Sequence, residues 1–286
     1  FEQDGTGPVD IAGDIRTSAD TISFDTAVSL TGDVLLSTLA GVGNIEFAGT
    51  VDEARSLELD AGGGNVVFAS AAGGNARLGA LVITSAETVA GDVALSVPTA
   101  PITAASIEQT AGGVLTWFDT LNTNGAAGID LNGQAFTFDG TVTTSGGGPV
   151  TVTNAGLLDI TDVTDAADTA NWDLDLDGAF EQDGTGPVDI AGDIRTSDDT
   201  IAFSTNAAAP AVRLTGNALL ESGGTGGGAG TITLNGDVGA DTPGLESLDI
   251  DSNADRTVFG GGIGRTGQLA AITVDAATIR FDGGGT

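Results

Sequence analysis

The chain has 286 residues, of which 46 are glycine, and forty acidic residues against eight arginines give it a net charge of −32. A chain this acidic has no basic stripe to neutralise phosphates, which excludes nucleic-acid binding and attraction to an anionic membrane surface. The sequence contains no histidine, cysteine, lysine or tyrosine. Disulfides, and catalysis by Ser–His, Cys–His, Ser–Lys or Schiff-base chemistry, are therefore excluded.

The predicted elements are short strands in which two apolar residues flank one polar residue. This alternation puts the apolar pair on one face of each strand and the polar residue on the other. No window has a convincing helical period, and the best helical candidate, 162–170, is more typical of a loop. In chain order the apolar pairs are Val9/Ile11, Ile22/Phe24, Ile45/Phe47, Leu57/Leu59, Val66/Phe68, Leu81/Ile83, Val93/Leu95, Phe136/Phe138, Val150/Val152, Leu158/Ile160, Leu174/Leu176 (preceded by Trp172), Val188/Ile190, Ile232/Leu234, Leu248/Ile250 and Ile272/Val274.

One stretch of the chain occurs twice. Residues 1–24 return as residues 180–203 with two differences, Ala19 against Asp198 and Ser23 against Ala202. Weaker matches continue between the segments that follow residue 24 and those that follow residue 203, and short insertions separate them. Internal similarity of this kind indicates a repeat architecture. We predict a first repeat over residues 1–179 and a partial second copy over 180–286, continuous with it, as in a segment cut from a longer array.

Two all-β architectures fit short strands with frequent turns. The first is a right-handed parallel β-helix, or β-solenoid, in which each coil stacks on the next. The second is a string of β-sandwich domains. The solenoid is favoured because no linker separates modules of sandwich size and because insertions are tolerated between matched strands. The strands are also too short for a sandwich.

Several segments resemble a known class of proteins, among them GNIEFAGTV (43–51), GGNVVFASAAGG (63–74) and AFEQDGTGPVDIAGDI (179–194). They are similar to the β-strand repeats of very large bacterial exoproteins, the filamentous-haemagglutinin-like or adhesin-like surface proteins. The resemblance implies an exported β-solenoid at the cell surface or in the extracellular space. It carries over no catalytic or ligand-binding residues.

The strongest candidate for a ligand site is Asp173-Leu-Asp175-Leu-Asp177-Gly178. It matches the D-x-D-x-D-G opening of a calcium loop, whose alternate carboxylates supply the hard oxygen ligands that Ca²⁺ prefers. The twelfth position of that loop is Gly184 where a bidentate glutamate is expected. The alternative is a strand with its acids facing water. We keep calcium at Asp173, Asp175 and Asp177 as the metal prediction and predict no catalytic or cofactor-binding residues.

The remaining motifs point to structure. Glycine runs such as Gly146–Gly148 are interpreted as turns, since no phosphate-binding motif surrounds them. Arg16 and Arg195 occupy equivalent positions and are expected to pair with neighbouring aspartates on loops.

We therefore expect a structural segment of a long extracellular or cell-surface fibre or adhesin that is not an enzyme, does not span a membrane and has other copies of itself as partners. One alternative is an adhesin module that binds surface glycans through loops such as 161–170 and 206–211. A less favoured one is a polysaccharide-cleaving β-helix enzyme that acts through carboxylates.

Overall fold

The structure is a computed structural model, and it describes residues 1–39, 41–90, 100–111, 115–163, 172–223 and 230–282. The predicted strand at Val93/Leu95 and most of the predicted loop 161–170 lie outside the described residues. Within them, every regular element is a β-strand and no helix is long and apolar enough to cross a membrane. The chain divides into two compact units, Phe1–Asp139 and Gly140–Thr286.

The first unit consists of short strands, most of them three or four residues long. They are β1 (Glu2–Gln3), β2 (Val9–Ile11), β3 (Ile15–Arg16), β4 (Ile22–Phe24), β5 (Val28–Leu30), β6 (Val34–Ser37), β7 (Ile45–Phe47), β8 (Val51–Asp52), β9 (Leu57–Asp60), β10 (Asn65–Phe68), β11 (Leu78–Ser85), β12 (Thr88–Ala90), β13 (Ile102–Gln109), β14 (Leu115–Phe118), β15 (Leu121–Thr123), β16 (Ile129–Gly133) and β17 (Phe136–Phe138).

The strands of the first unit form three parallel stacks, and the chain visits each stack once per coil. The first stack runs β1-β4-β7-β10-β12-β14-β17. The second begins with β2-β5-β8 and continues through Ala72, which bridges Val51 to Ile102 of β13, and then β15. The third runs β3-β6-β9-β11 and then through β13 to β16. Each strand therefore adds one rung to a growing parallel sheet.

The second unit repeats this arrangement. Its strands are β18 (Val142–Thr144), β19 (Val150–Asn154), β20 (Leu158–Ile160), β21 (Leu174–Leu176), β22 (Phe180–Gln182), β23 (Val188–Ile190), β24 (Ile194–Thr196), β25 (Ile201–Phe203), β26 (Val212–Leu214), β27 (Ala218–Ser222), β28 (Ile232–Leu234), β29 (Val238–Ala240), β30 (Ser247–Asp251), β31 (Arg256–Phe259), β32 (Ala271–Asp275) and β33 (Thr278–Phe281). The three parallel stacks are β19-β22-β25-β28-β31-β33, β20-β23-β26-β29 and β18-β21-β24-β27-β30-β32.

The core of each unit lies between the three stacks and is filled by most of the predicted apolar pairs, although Ile272 of the pair Ile272/Val274 is 39% exposed. Ile22, Ile45 and Val66, for example, follow one another in register and have no exposed surface. Burial of such a side chain contributes roughly 1.5–3 kcal/mol. Aromatic rings stack in the same way, since Phe24 and Phe47 have ring centroids 5.5 Å apart and nearly parallel planes. The driving force for stacking is therefore spread evenly along the coils.

The predicted β-solenoid is confirmed. Every strand pairing described above is parallel, whereas a string of sandwiches would pair antiparallel strands. The ladders are open stacks, and neither unit is a barrel. The right-handed sense of the coil stays a prediction. The compact units divide after Asp139, on the basis of how the chain packs. The repeat boundary after residue 179 was predicted from sequence similarity and stays a prediction.

Candidate functional site

The predicted calcium segment forms strand β21 and the corner that precedes it. Leu174 and Leu176 point into the core and are buried, so Asp175 between them faces outward. The strand is held in place on one side by β18 and on the other by β24. The alternation that suggested oxygen ligands thus also gives an ordinary solenoid strand.

Asp173 lies at the corner before the strand and is almost completely buried, with 1% of its surface exposed. Its Oδ1 accepts a hydrogen bond from the Val163 N–H at 3.0 Å, and its Oδ2 accepts one from the Asp193 N–H at 2.8 Å. A buried carboxylate requires donors of this kind. Asp173 therefore joins its own coil to the next one.

Asp193 repeats this arrangement one coil later. Its Oδ1 accepts a hydrogen bond from the Leu219 N–H at 2.7 Å. Burial raises the pKa of Asp193 to about 6; the hydrogen bond from Leu219 opposes the shift, and the neighbouring charges of Asp173, Asp162 and Asp249 add to it. The pKa of this corner carboxyl group is thus shifted towards neutral pH.

Asp175 forms the central ion pair of the segment. Its Oδ1 accepts hydrogen bonds from Arg195 Nε at 3.1 Å and from an Arg195 terminal nitrogen at 2.9 Å. The guanidinium of Arg195 also lies 5.1 Å from the centre of the Trp172 ring, within range of a cation–π interaction. We expected this arginine to pair with an aspartate on a loop, but Asp175 lies in the middle of a strand. Strand register, which fixes which outward residues meet, accounts for the difference.

This ion pair begins a ladder of charged residues along the outer surface. Burial raises the pKa of Glu221, the next member after Arg195; Asp251 adds to the shift and Arg195 opposes it. Beyond Arg195 the ladder is entirely acidic, so one arginine partly neutralises several carboxylates. In register, the members are Asp175, Arg195, Glu221, Asp251 and Asp275.

Asp177, the third predicted ligand, has separate partners. Its Oδ2 accepts a hydrogen bond from the Gly147 N–H at 2.8 Å, and its own N–H donates to Thr144 Oγ1 at 3.0 Å. Gly147 has φ of +76°, a conformation that glycine adopts without strain. The predicted turn at Gly146–Gly148 is thus confirmed and has a role, since it presents an N–H group to the carboxylate.

The three predicted calcium ligands therefore have three different sets of donors. In the part of the chain that the structure describes, no group of three or more acidic side chains is placed to hold a metal ion. The residues as arranged do not fit a cage, because Asp173 and Asp177 already accept backbone N–H groups and Asp175 already accepts a guanidinium. Calcium at this segment stays a prediction.

Sequence reasoning missed the recurrent role of the corner carboxylates. Asp33 accepts a hydrogen bond from the Ser56 N–H at 2.9 Å, and in the second unit Asn217 accepts one from the Ser247 N–H at 3.0 Å. Each of these acceptors follows a glycine and precedes an apolar strand, as Asp193 does. The pattern Gly–Asp/Asn–apolar was the available signal for a residue that joins two coils.

A second arginine, Arg213, was also missed. Its Nε donates to Asp189 Oδ1 at 2.9 Å, a terminal nitrogen donates to the other Asp189 oxygen, and its second terminal nitrogen donates to Asp241 at 3.0 Å. The hydrogen bond with Asp189 raises the pKa of Arg213, and the charges of Asp189, Asp241 and Asp159 add to this. The arginines thus act as bridges between acidic coils.

Comparison with known proteins identifies no relative: no protein family, curated protein or solved structure matches this chain.

Proposed function

We propose that this chain is a structural segment of a long extracellular or cell-surface fibre or adhesin, and that filaments form by coil stacking. The observation that carries the proposal is the uniform, in-register stacking of parallel coils in both units. Repeat proteins of this kind gain stability from each neighbouring coil, so the architecture extends without a limit on length. The role of the protein would then be to span a distance from the cell.

The side-chain chemistry supports a structural role over catalysis. Several carboxylates accept hydrogen bonds from the backbone or from arginine, as at Asp173, Asp175 and Asp189, and so have a structural role. The raised pKa of Asp193 follows from its burial at the corner between coils. A net charge of −32 keeps the surface well hydrated. These features suit a surface exposed to water and salt.

Divalent cations enter the proposal as counter-ions. A dense array of carboxylates raises the local concentration of cations such as Ca²⁺. We propose weak binding along the acidic ladder, and the calcium residues predicted from the sequence, Asp173, Asp175 and Asp177, are tested beside it. Isothermal titration of Ca²⁺ into the chain and into a triple asparagine variant at these positions measures their share.

Electron microscopy of the purified protein, with and without EDTA, tests the function. We expect straight rods with an axial repeat of about 4.8 Å, the separation of hydrogen-bonded strands. If the rods fray in EDTA, bound divalent cations help to hold the filament together. Discrete globules joined by flexible links would contradict the fibre. Binding to a glycan array by globular particles would favour the glycan-binding adhesin instead.

A further inference from the structure

An open groove crosses the outer face of the third stack in the first unit. The strands that carry it, β6, β9 and β11, each have parallel partners on both sides. The groove therefore lies on the side of the solenoid, within the run of stacked coils. Its lining comes from three successive coils and includes Asp33, Leu35, Ser56, Glu58, Ala80 and Val82.

The outward side chains along this groove alternate between apolar and acidic. Leu35 lies in register with Glu58, and Glu58 lies in register with Val82. Val82 is followed in register by Glu108 on the next coil. Leu35 and Val82 are partly buried, whereas the two glutamates are exposed. Because neighbouring strands lie about 4.8 Å apart, the glutamates are separated by about 10 Å across Val82.

No described ion pair neutralises these two glutamates. The ion pairs within the described residues include neither Glu58 nor Glu108. The guanidinium of Arg77, on the loop before β11, donates instead to Ala104 O and Asn122 O, both at 2.9 Å. The charge of the two glutamates is thus left to cations from solution.

The same stack in the second unit shows which group such a ladder accepts. There Arg195 lies in register between Asp175 and Glu221, which are two coils apart. Its guanidinium donates to Asp175 Oδ1 at 2.9 and 3.1 Å. In the first unit Val82 takes the middle place between the two glutamates. An acid–cation–acid arrangement in one unit is therefore an acid–apolar–acid arrangement in the other.

The apolar residue between two carboxylates favours an elongated cation over a metal ion. A metal ion is a point charge, and within the described ranges no three acidic side chains are placed to hold one. A linear aliphatic polyamine instead carries its ammonium groups at intervals along a methylene chain. The methylenes between two ammonium groups would cover Val82 and remove apolar surface from water.

We propose that this groove binds a linear aliphatic polyamine whose ammonium groups lie about 10 Å apart. The ammonium groups pair with the carboxylates of Glu58 and Glu108, and the intervening methylenes pack on Val82. Exposed ion pairs contribute little each, so the spacing and the apolar contact supply the selectivity. The site goes beyond the proposed fibre function, and it lies in a different unit from the acidic ladder that begins at Asp175.

NMR titration of the isotope-labelled full chain with diamines of two lengths tests the spacing. Heptane-1,7-diamine is long enough to reach both glutamates, whereas ethane-1,2-diamine is not, and Mg²⁺ supplies the same charge as a point. At low ionic strength we expect the long diamine to shift the Val82 methyl resonances and to bind about fivefold more tightly than the other two. Equal affinities, or unchanged Val82 resonances, would overturn the inference.

Matched variants identify the contacts. Glu58→Gln and Glu108→Gln should each weaken binding of the long diamine about threefold, because each removes one ion pair. Val82→Thr keeps the shape of the side chain but replaces a methyl group by a hydroxyl, and it should weaken binding about twofold. Glu46→Gln removes an outward glutamate from the first stack and should leave binding unchanged. Equal losses for Glu46→Gln and Glu58→Gln would show a response to net charge alone and overturn the site.

A further variant copies the arrangement of the second unit into the first. Val82→Arg places a guanidinium between Glu58 and Glu108, as Arg195 lies between its own neighbours. The variant should abolish binding of heptane-1,7-diamine, because an internal cation then occupies the place of the ligand. Thermal unfolding checks that the variant is folded. Undiminished binding by the folded variant would mean that the diamine contacts other acids, and would overturn the proposal.

Discussion

The two copies of the repeat use the same inward positions but fill them differently. In the first copy Phe24, Phe47 and Phe68 form a continuous stack, with centroids 5.5 and 5.2 Å apart. In the second copy Leu234 occupies the place of Phe47, between Phe203 and Phe259. Both Phe47 and Leu234 are fully buried. The comparison shows that the coil requires a buried apolar side chain at this position, and that either an aromatic ring or a leucine can fill it.

The corner positions lead to a similar conclusion for polar groups. Asp33 in the first copy and Asn217 in the second accept the equivalent backbone N–H, from Ser56 and Ser247. A carboxylate and an amide both supply the oxygen, and only one of them is charged. The solenoid therefore needs an acceptor at the corner, and the acidity of the chain is a separate property.

The largest expected effect is at the aromatic rung. Phe47→Ala should lower the free energy of unfolding by about 3–5 kcal/mol, because it removes a buried ring and leaves a cavity. Phe47→Leu should cost much less, since leucine already fills the equivalent rung at position 234. Glu46→Ala, on the outward side of the same strand, is the control and should change stability by less than about 0.5 kcal/mol. Chemical denaturation measures all three. If Phe47→Leu costs as much as Phe47→Ala, ring stacking matters more than volume.

The corner gives the next effect. Asp33→Ala should lower the free energy of unfolding by about 1–2 kcal/mol, since it leaves the Ser56 N–H without its acceptor. Asp33→Asn should be nearly neutral, because asparagine performs this role at position 217. Denaturation in low and high salt separates the two contributions. A large loss for the asparagine variant would show that the negative charge itself holds the corner.

The corner of the second unit also predicts a pH dependence. Burial raises the pKa of Asp193 to about 6 from the ordinary value of 3.8. A raised carboxyl pKa means that the folded state holds its proton more tightly. This contribution is complete below pH 3.8 and is lost as the pH rises through 6. After allowance for solvent screening, the contribution is on the order of 1 kcal/mol.

Asp193→Asn keeps an acceptor for the Leu219 N–H and removes the titration. The parent should lose stability relative to the variant between pH 5 and pH 7, because only the parent loses the contribution of the Asp193 proton. Thermal melts at both values provide the measurement. A constant difference would mean that Asp193 titrates as an ordinary carboxyl group.

The smallest effect concerns the turn at which the copies differ in sequence. Ala19 has φ of +71° and Asp198 has φ of +67°. Alanine is strained in this conformation, whereas aspartate and glycine tolerate it better. Ala19→Gly should raise the free energy of unfolding by about 0.5 kcal/mol after the entropy of glycine is counted, and Asp198→Gly should gain less. Equal gains at both positions would contradict this account of the substitution.

The strands could be predicted because their signal is local. Pairs such as Ile45/Phe47 and Leu158/Ile160 identify the inward face of a strand within three residues, and both pairs are buried in strands. Stacking partners could not be predicted, because the coil length varies: Asp175 meets Arg195 20 residues later, and Asp189 meets Arg213 24 residues later. The calcium motif depended on spacing along one strand, whereas the partners of Asp173 and Asp177 come from other segments.

The identical stretches at residues 1–18 and 180–197 also have a consequence for inheritance. Unequal crossing-over in the coding sequence between these stretches adds or removes 179 residues without altering the sequence at the junction. The new neighbours at such a junction are ones that this coil already contacts elsewhere in the chain. A lineage can thus change the length of the molecule in whole steps, with no intermediate that must tolerate a mismatched coil.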